Sequence, residues 1–341
     1  EELNVAEGTS IWEAAKAEGE LIPHLCHKPE PGYRSDGNCR ACMVEIEGER
    51  VLAASCIRNV QEGMVVSTNT DRAKKSRALI VELLSADQPA KAHDASSHFK
   101  NMLVLNNIEE SRFPSKDLSH VPLLDDSHVA MRVNLDSCIH CNLCVRACRE
   151  VQVNDVIGMS GRGHEAQIVF DMDDPMGKST CVACGECVQA CPTGALMPAT
   201  VLDDSQIGDS ADFDREVQSI CPYCGVGCQL SYKIKDDKIK YVEGVNGPAN
   251  ENRLCVKGRF GFDYVHHHHR LTTPLIRRND APSKGLSVDP SSPLTHFREA
   301  SWEEALDAAA NGLAKNREIA GTRVAGFGSA KCSNEEAYLF Q

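Results

Sequence analysis

The chain has 341 residues, a hydrophobic fraction of 42%, aromatics at 5% and a formal net charge of −13. That length suits two or three ordinary domains, and the acidic balance excludes the basic footprint of a nucleic-acid binder. No apolar run reaches the roughly 18–20 residues of a membrane span. The opening Glu1, Glu2, Leu3 and Asn4 lack the character of a secretory leader, so a reducing, cytoplasmic setting is expected.

In chain order, residues 1–76 read as a small β-rich domain with one helix over 11–18, capped by Thr9 or Ser10 and stopped by Gly19. Residues 43–47 alternate apolar and polar up to Gly48, the pattern of a half-buried strand, with 51–54 as its partner. Residues 77–132 contain no cysteine. They read as a helical spacer, with helices over 78–84 and 94–105 and breaks around Pro114 and Pro122. Residues 133–200 hold two similar cysteine runs, an internal duplication. Residues 201–215 form an acidic linker. The module of 216–270 is β-rich, with strands over 230–234 and 239–243. Residues 271–341 open a further domain, with a capped helix over 301–314 and a β-like stretch from Arg323 to Phe327.

Cysteine arithmetic carries the chemistry. Sixteen of the 17 cysteines fall into four quartets, leaving Cys332 over. Four thiolates complete one [2Fe–2S] or [4Fe–4S] centre. A disulfide scaffold suits a short secreted chain instead, whereas C-x2-C runs crowd thiols around a metal. Zinc sites use the same residue types and stand as the alternative.

Cys26, Cys39, Cys42 and Cys56 are separated by 12, 2 and 13 residues. A central C-x2-C pair with outlying cysteines is the plant-type [2Fe–2S] arrangement, with Gly37 allowing a bend. The 138–148 and 181–191 runs are both C-x2-C-x2-C-x3-C, and in two-cluster ferredoxins the fourth cysteine of each run ligates the other cluster. On that rule one [4Fe–4S] site takes Cys138, Cys141, Cys144 and Cys191, and the other takes Cys181, Cys184, Cys187 and Cys148. Pro192 follows the second run as that pattern expects; Arg149 replaces it after the first. Cys221, Cys224, Cys228 and Cys255 form the last quartet. Arg40, Arg146, Arg149, Lys257 and Arg259 lie near these cysteines in sequence and offer charge compensation.

The long first gap resembles the [2Fe–2S] domain of complex I large subunits, iron-only hydrogenases and some formate dehydrogenases. The last quartet, with Val256, Lys257, Gly258 and Arg259 behind Cys255, resembles the [4Fe–4S] module of molybdopterin-dependent formate dehydrogenases and their nitrate reductase relatives. Residues 324–341 resemble the stretch upstream of the active-site cysteine or selenocysteine in the same enzymes. The resemblance implies an α+β, multi-domain fold: a β-grasp [2Fe–2S] ferredoxin domain with its first strand truncated, the spacer, a twin [4Fe–4S] ferredoxin domain, and a β-rich [4Fe–4S] module of the molybdopterin oxidoreductase fold opening onto an incomplete catalytic domain.

It further implies one [2Fe–2S] and three [4Fe–4S] clusters, with a molybdenum or tungsten bis-molybdopterin guanine dinucleotide in the full-length subunit. Lys257 is then a relay between cluster and pterin, and no catalytic residue falls within this chain. Formate or carbon dioxide is the implied substrate, and a flavin/NAD diaphorase subunit the implied partner. Cys332 is expected as a small buried thiol near the pterin pocket, not a metal ligand. Longer relatives carry a further cluster bound by one histidine and three cysteines. No cysteine lies between Cys56 and Cys138, so that cluster is expected to be absent, with His93 and His98 left as surface or helix residues. His266 to His269 read as a native surface stretch. Competing readings are the large subunit of an NADH–quinone oxidoreductase, an iron-only hydrogenase, and a non-enzymatic multi-cluster carrier.

Overall fold

The computed structural model describes residues 2–115, 124–282, 289, 291–319 and 324–340. Two expectations touch Pro122 and Arg323, which lie outside the described residues. The chain divides into two compact units. One comprises 1–221 with 228–260, and the other 222–227 with 261–341.

In the first unit, Ser10 starts the Ile11–Ala17 helix with a capping box: its hydroxyl accepts from the Glu13 amide while the Glu13 carboxylate accepts from the Ser10 amide. The helix buries Ile11 and Trp12, and the Trp12 indole donates to the Ile22 carbonyl at 2.9 Å. The Met43–Ile46 strand pairs antiparallel with Ala53–Ala54 on one side and Val66–Ser67 on the other. Its alternation turns Val44 and Ile46 inward, where they pack with Trp12, Ile22, Cys42 and Cys56.

The first spacer helix is longer than 78–84. It runs Asp71–Ala86 from a Thr70 cap, across the expected domain boundary, and Arg77 donates to the Met43 carbonyl at 3.4 Å. The second helix is shorter than 94–105. It spans His98–Leu105 behind a Ser97 cap, and Asp94 and Ala95 instead tie down the segment after residue 200. Phe99 and Met102 bury against Leu25, Ala41 and Val81, so the spacer packs on the first cysteine loop.

The duplicated region is held by the antiparallel pair Met131–Val133 and Leu196–Pro198 and by the hairpin Ile157–Ser160 with Gln167–Phe170. Between the cysteines run a short Leu143–Arg146 helix, a π-helical turn over Ala147–Val151 and a Glu186–Ala190 helix. The 201–215 segment is firmly strapped. His93 Nδ1 lies 2.6 Å from the Gln206 carbonyl, the Gly208 amide donates to the His93 carbonyl, and Asp94 accepts from the Ser210 amide and hydroxyl. Beyond it, Gln229–Lys235 is the central strand between Lys238–Gly244 and Arg215–Ile220, all antiparallel. The expected strand pair is present, and Arg215–Ile220 is an additional strand whose wholly exposed sequence gave no alternation to read.

In the second unit, Leu275–Arg277 pairs antiparallel with Phe297–Glu299. Ser301 caps a Trp302–Glu318 helix that buries none of its residues. Residues 324–327 form no strand, and an Asn334–Phe340 helix follows. Among the described residues, no helix is long and apolar enough to cross a membrane.

Candidate iron–sulfur sites

The first quartet is gathered by the 26–42 loop and the turn after the Ala53–Ala54 strand. The Cys42 and Cys56 sulfurs lie 3.4 Å apart, and the Cys26 and Cys39 amides each donate to the other's sulfur at 3.4 and 3.5 Å. Hydrogen bonds with Cys39 and Cys56 pull the Cys26 thiol down to about 2, while Cys39 and Cys56 are pushed up by sharing protons with Cys26. Cys42 falls to about 6 through its bond with Cys56. Four crowded sulfurs cannot all ionise without a compensating cation, and iron supplies one. The donor set therefore fits a cluster.

The duplicated runs bring their cysteines together in crossed sets. Cys138, Cys141, Cys144 and Cys191 line one small cavity with Leu135, Ile168 and Pro192. Cys148, Cys181, Cys184 and Cys187 line another with Val156 and Ile157. Burial pushes the thiols of Cys141, Cys144, Cys184 and Cys187 up, so as bare thiols they resist ionisation and need a metal to become thiolates.

The duplication is visible in the backbone as well. His140 and Ala183 have φ of 54° and 55°, and Asn142 and Gly185 have φ of 61° and 69°. Left-handed residues at matched positions curl each run so that amides face sulfur. The His140 amide donates to Cys138 at 3.5 Å and the Ala183 amide to Cys181 at 3.3 Å. Arg40 (φ 63°) does the same in the first quartet, where the Ala41 amide donates to Cys39 at 3.5 Å. Such N–H···S bonds stabilise thiolate charge.

Of the last quartet, Cys221, Cys228 and Cys255 belong to the first unit. The Cys221 amide donates to the Cys228 carbonyl at 2.8 Å, and the Gly258 Cα faces the Cys221 sulfur closely enough that a Cβ there would lie 3.4 Å away. Cys224 belongs to the second unit. Lys257 is exposed on the Val256–Phe260 helix. In the second unit, the Gly225 amide donates to the Ala330 carbonyl at 2.5 Å. Cys332 is half-buried there, more open than the buried thiol expected, because the 324–340 segment around it is exposed.

The fold adds long-range partners that the motifs alone leave open. The 12-residue gap between Cys26 and Cys39 is a docking arm onto the duplicated region: Tyr33 Oη donates to Glu186 at 2.9 Å and Arg34 Nε to Glu150 at 2.9 Å, while the Lys28 ammonium donates to the Gln189 carbonyl at 3.3 Å. Arg259 Nε donates to the Cys184 carbonyl at 2.7 Å. His93 and His98, the two histidines of the cysteine-free spacer, have protein partners. His93 Nε2 meets the Asp136 carboxylate at 2.9 Å, which raises its pKa, and His98 Nε2 lies 2.6 Å from the His24 carbonyl. His267, His268 and His269 are exposed, with ligand atoms within 4.8 Å of one another.

Comparison with known proteins agrees with this order of sites. A 2Fe-2S iron-sulfur cluster binding domain matches residues 1–71, a 4Fe-4S dicluster domain matches 137–195, and the Molybdopterin oxidoreductase Fe4S4 domain matches 214–267. A component of the NADH-quinone oxidoreductase of Rhizobium meliloti is 31% identical over 99% of this chain and 37% of its own length. A Bacillus subtilis protein, YjgC, provisionally named an oxidoreductase, is 28% identical over 100% of this chain and 36% of its own. A Staphylococcus haemolyticus protein provisionally named a formate dehydrogenase is 27% identical over 99% and 36%. The chain thus spans little more than a third of the length of the curated relatives it matches. The crystal structure of an NAD+-reducing [NiFe]-hydrogenase in the H2-reduced state superposes with a TM-score of 0.53 at 27% identity, covering 58% of this chain and 84% of that one. The chain thus carries, in that order, segments that match a [2Fe–2S] domain, a [4Fe–4S] dicluster domain and the Fe4S4 domain of molybdopterin oxidoreductases.

Proposed function

We propose that the chain is the electron-transfer portion of a cytoplasmic formate dehydrogenase α-subunit, carrying electrons from formate oxidation at a molybdenum or tungsten bis-pterin centre towards a flavin/NAD+ diaphorase subunit. Cys26, Cys39, Cys42 and Cys56 hold a [2Fe–2S] cluster. Cys138, Cys141, Cys144 and Cys191 hold one [4Fe–4S] cluster, Cys181, Cys184, Cys187 and Cys148 a second, and Cys221, Cys224, Cys228 and Cys255 a third. Each supplies a one-electron redox centre bound by thiolates. The protein's part is to fix the cysteine loops, exclude water from them and place amide donors and buried cations around the sulfurs. Lys257 is the relay towards the pterin, and residues 271–341 open the domain that binds it.

The observation that carries this reading is the Molybdopterin oxidoreductase Fe4S4 match at 214–267 directly behind the dicluster. A hydrogenase-type front end has no need of that module. The exposed apolar side chains of the second unit, including Trp302 at 72% and Phe327 at 93%, suit a region that packs within a larger domain. A second reading, the large subunit of an NADH–quinone oxidoreductase, is favoured by the 31% identity to a component of such an enzyme. Metal and pterin analysis of the full-length protein, with a formate-dependent NAD+ reduction assay, separates the two. Molybdenum or tungsten with pterin and formate-driven NADH formation supports the first. Absence of pterin with NADH–quinone activity supports the second.

A further inference from the structure

Arg146 stands between the third and fourth cysteines of the first duplicated run, and its side chain is only 2% exposed. One guanidinium nitrogen donates to the Cys26 carbonyl at 2.6 Å and to the Cys141 carbonyl at 3.3 Å. Another donates to the Arg34 carbonyl. Nε faces an Asp36 oxygen at 3.1 Å, within ion-pair range but off the alignment of a hydrogen bond. A single buried cation therefore touches the backbone of two cysteines from different quartets. Cys26 also shares an apolar cluster with Cys141, Cys144 and Cys148, so little water screens that charge.

Burying a guanidinium is costly unless its donors are met. Here its two terminal nitrogens are met by carbonyls of the cysteine loops and its charge by Asp36, which apolar packing would not have required. The other charges nearby are Asp36, Arg34 and Glu150. Arg34 pairs with both Asp36 at 2.5 Å and Glu150 at 2.9 Å, at a side chain that is largely solvent-exposed. Arg146 is the fully buried member of the group.

We propose that Arg146 is a positioning residue that holds the Cys26/39/42/56 site against the Cys138/141/144/191 site and sets the redox potentials of both through one shared charge. The inference rests on those two cysteine sets being iron–sulfur sites. An electron gained by either set adds one negative charge, which a fixed buried cation favours and Asp36 opposes. When the two sites exchange an electron, one is oxidised and the other reduced by one unit, with no bond or proton changing hands.

The test is an EPR redox titration of the full-length protein, with iron and sulfide counted in the same samples. Arg146→Gln should lower both potentials, cutting each reduced-to-oxidised ratio about tenfold at fixed ambient potential, equivalent to about 59 mV for a one-electron couple. Arg146→Lys should restore part of the shift. Asp36→Asn, at a side chain 16% exposed, should raise both. The 148/181/184/187 and 221/224/228/255 signals should stay in place. A merely structural arginine predicts no opposite-signed pair of shifts. If Arg146→Gln loses iron, Asp36→Asn and Arg146→Lys decide by the same readout. The proposal is overturned if fully loaded variants move neither potential, or only one of the two. Wild-type protein lacking iron and sulfide would sink the cluster reading instead.

Discussion

Glu186 and Arg259 form an ion pair at 3.2 Å in which the two side chains are 1% and 3% exposed. Glu186 lies between Cys184 and Cys187, and Arg259 lies four residues after Cys255. The pair therefore joins the duplicated region to the module behind it, with Tyr33 Oη completing the carboxylate from the first module. Gln189 adds reciprocal hydrogen bonds to the Gly244 backbone at 3.0 and 3.1 Å. Three modules thus meet on one buried network.

Removing one partner of a buried pair strands the other's charge, at about 3–5 kcal/mol. Glu186→Gln and Arg259→Met should each destabilise the loaded protein by that order, and the double substitution should recover part of the loss. Denaturant-induced bleaching of the visible cluster absorption checks this. Additive losses in the double variant would show that the pair is not coupled.

Gly185 has a φ of 69°, and a Cβ there would sit 2.2 Å from the Arg259 side chain. Gly185→Ala should displace Arg259 from the Cys184 carbonyl and lower iron retention at the 148/181/184/187 site first. Iron analysis after mild chelator challenge measures it, with Gly312→Ala as a control because Gly312 has open space.

The crossed ligation makes a specific prediction. Cys148→Ser should disturb the EPR signal of the site holding Cys181, Cys184 and Cys187 and leave the Cys138 site intact. A response confined to the Cys138 site would contradict it. Cys332→Ser should leave iron and sulfide unchanged.

His93 has a pKa raised by its hydrogen bond to Asp136. A folded value above the unfolded one gives stability that is fully present below about 6.5 and lost as pH rises through the raised value. The wild-type Tm should therefore fall relative to His93→Gln as pH climbs from about 6 to 8. Parallel Tm profiles for the two proteins would show that the pair adds no pH-dependent stability.

Much of the local structure was legible because local chemistry decides it. Ser10 and Ser301 cap where side-chain oxygen is followed by helix formers, and 43–47 alternates because one strand face is buried. The cysteine spacings marked the three groupings that the first unit gathers, the 26/39/42/56 set and the two crossed sets of the duplicated runs. What sequence could not supply was long-range. The 12-residue gap after Cys26 read only as a longer loop, yet Lys28, Tyr33 and Arg34 on it reach partners more than a hundred residues away. The acidic 201–215 stretch read as a linker because nothing in its composition reveals that His93 and Asp94 hold it. Arg146 and Arg259 were visible as charges near cysteines, but only the fold shows that each donates to a carbonyl of another cysteine loop. Asp71–Ala86 ran past the expected boundary because packing on the Met43–Ile46 strand extends it.

The most direct measurement is anaerobic iron and acid-labile sulfide analysis of the purified chain, combined with EPR of the reduced protein. Four thiolate quartets predict about 14 iron atoms per chain, with matching sulfide and signals of one [2Fe–2S] and three [4Fe–4S] centres. Stoichiometric, tightly bound zinc in place of iron would contradict the account.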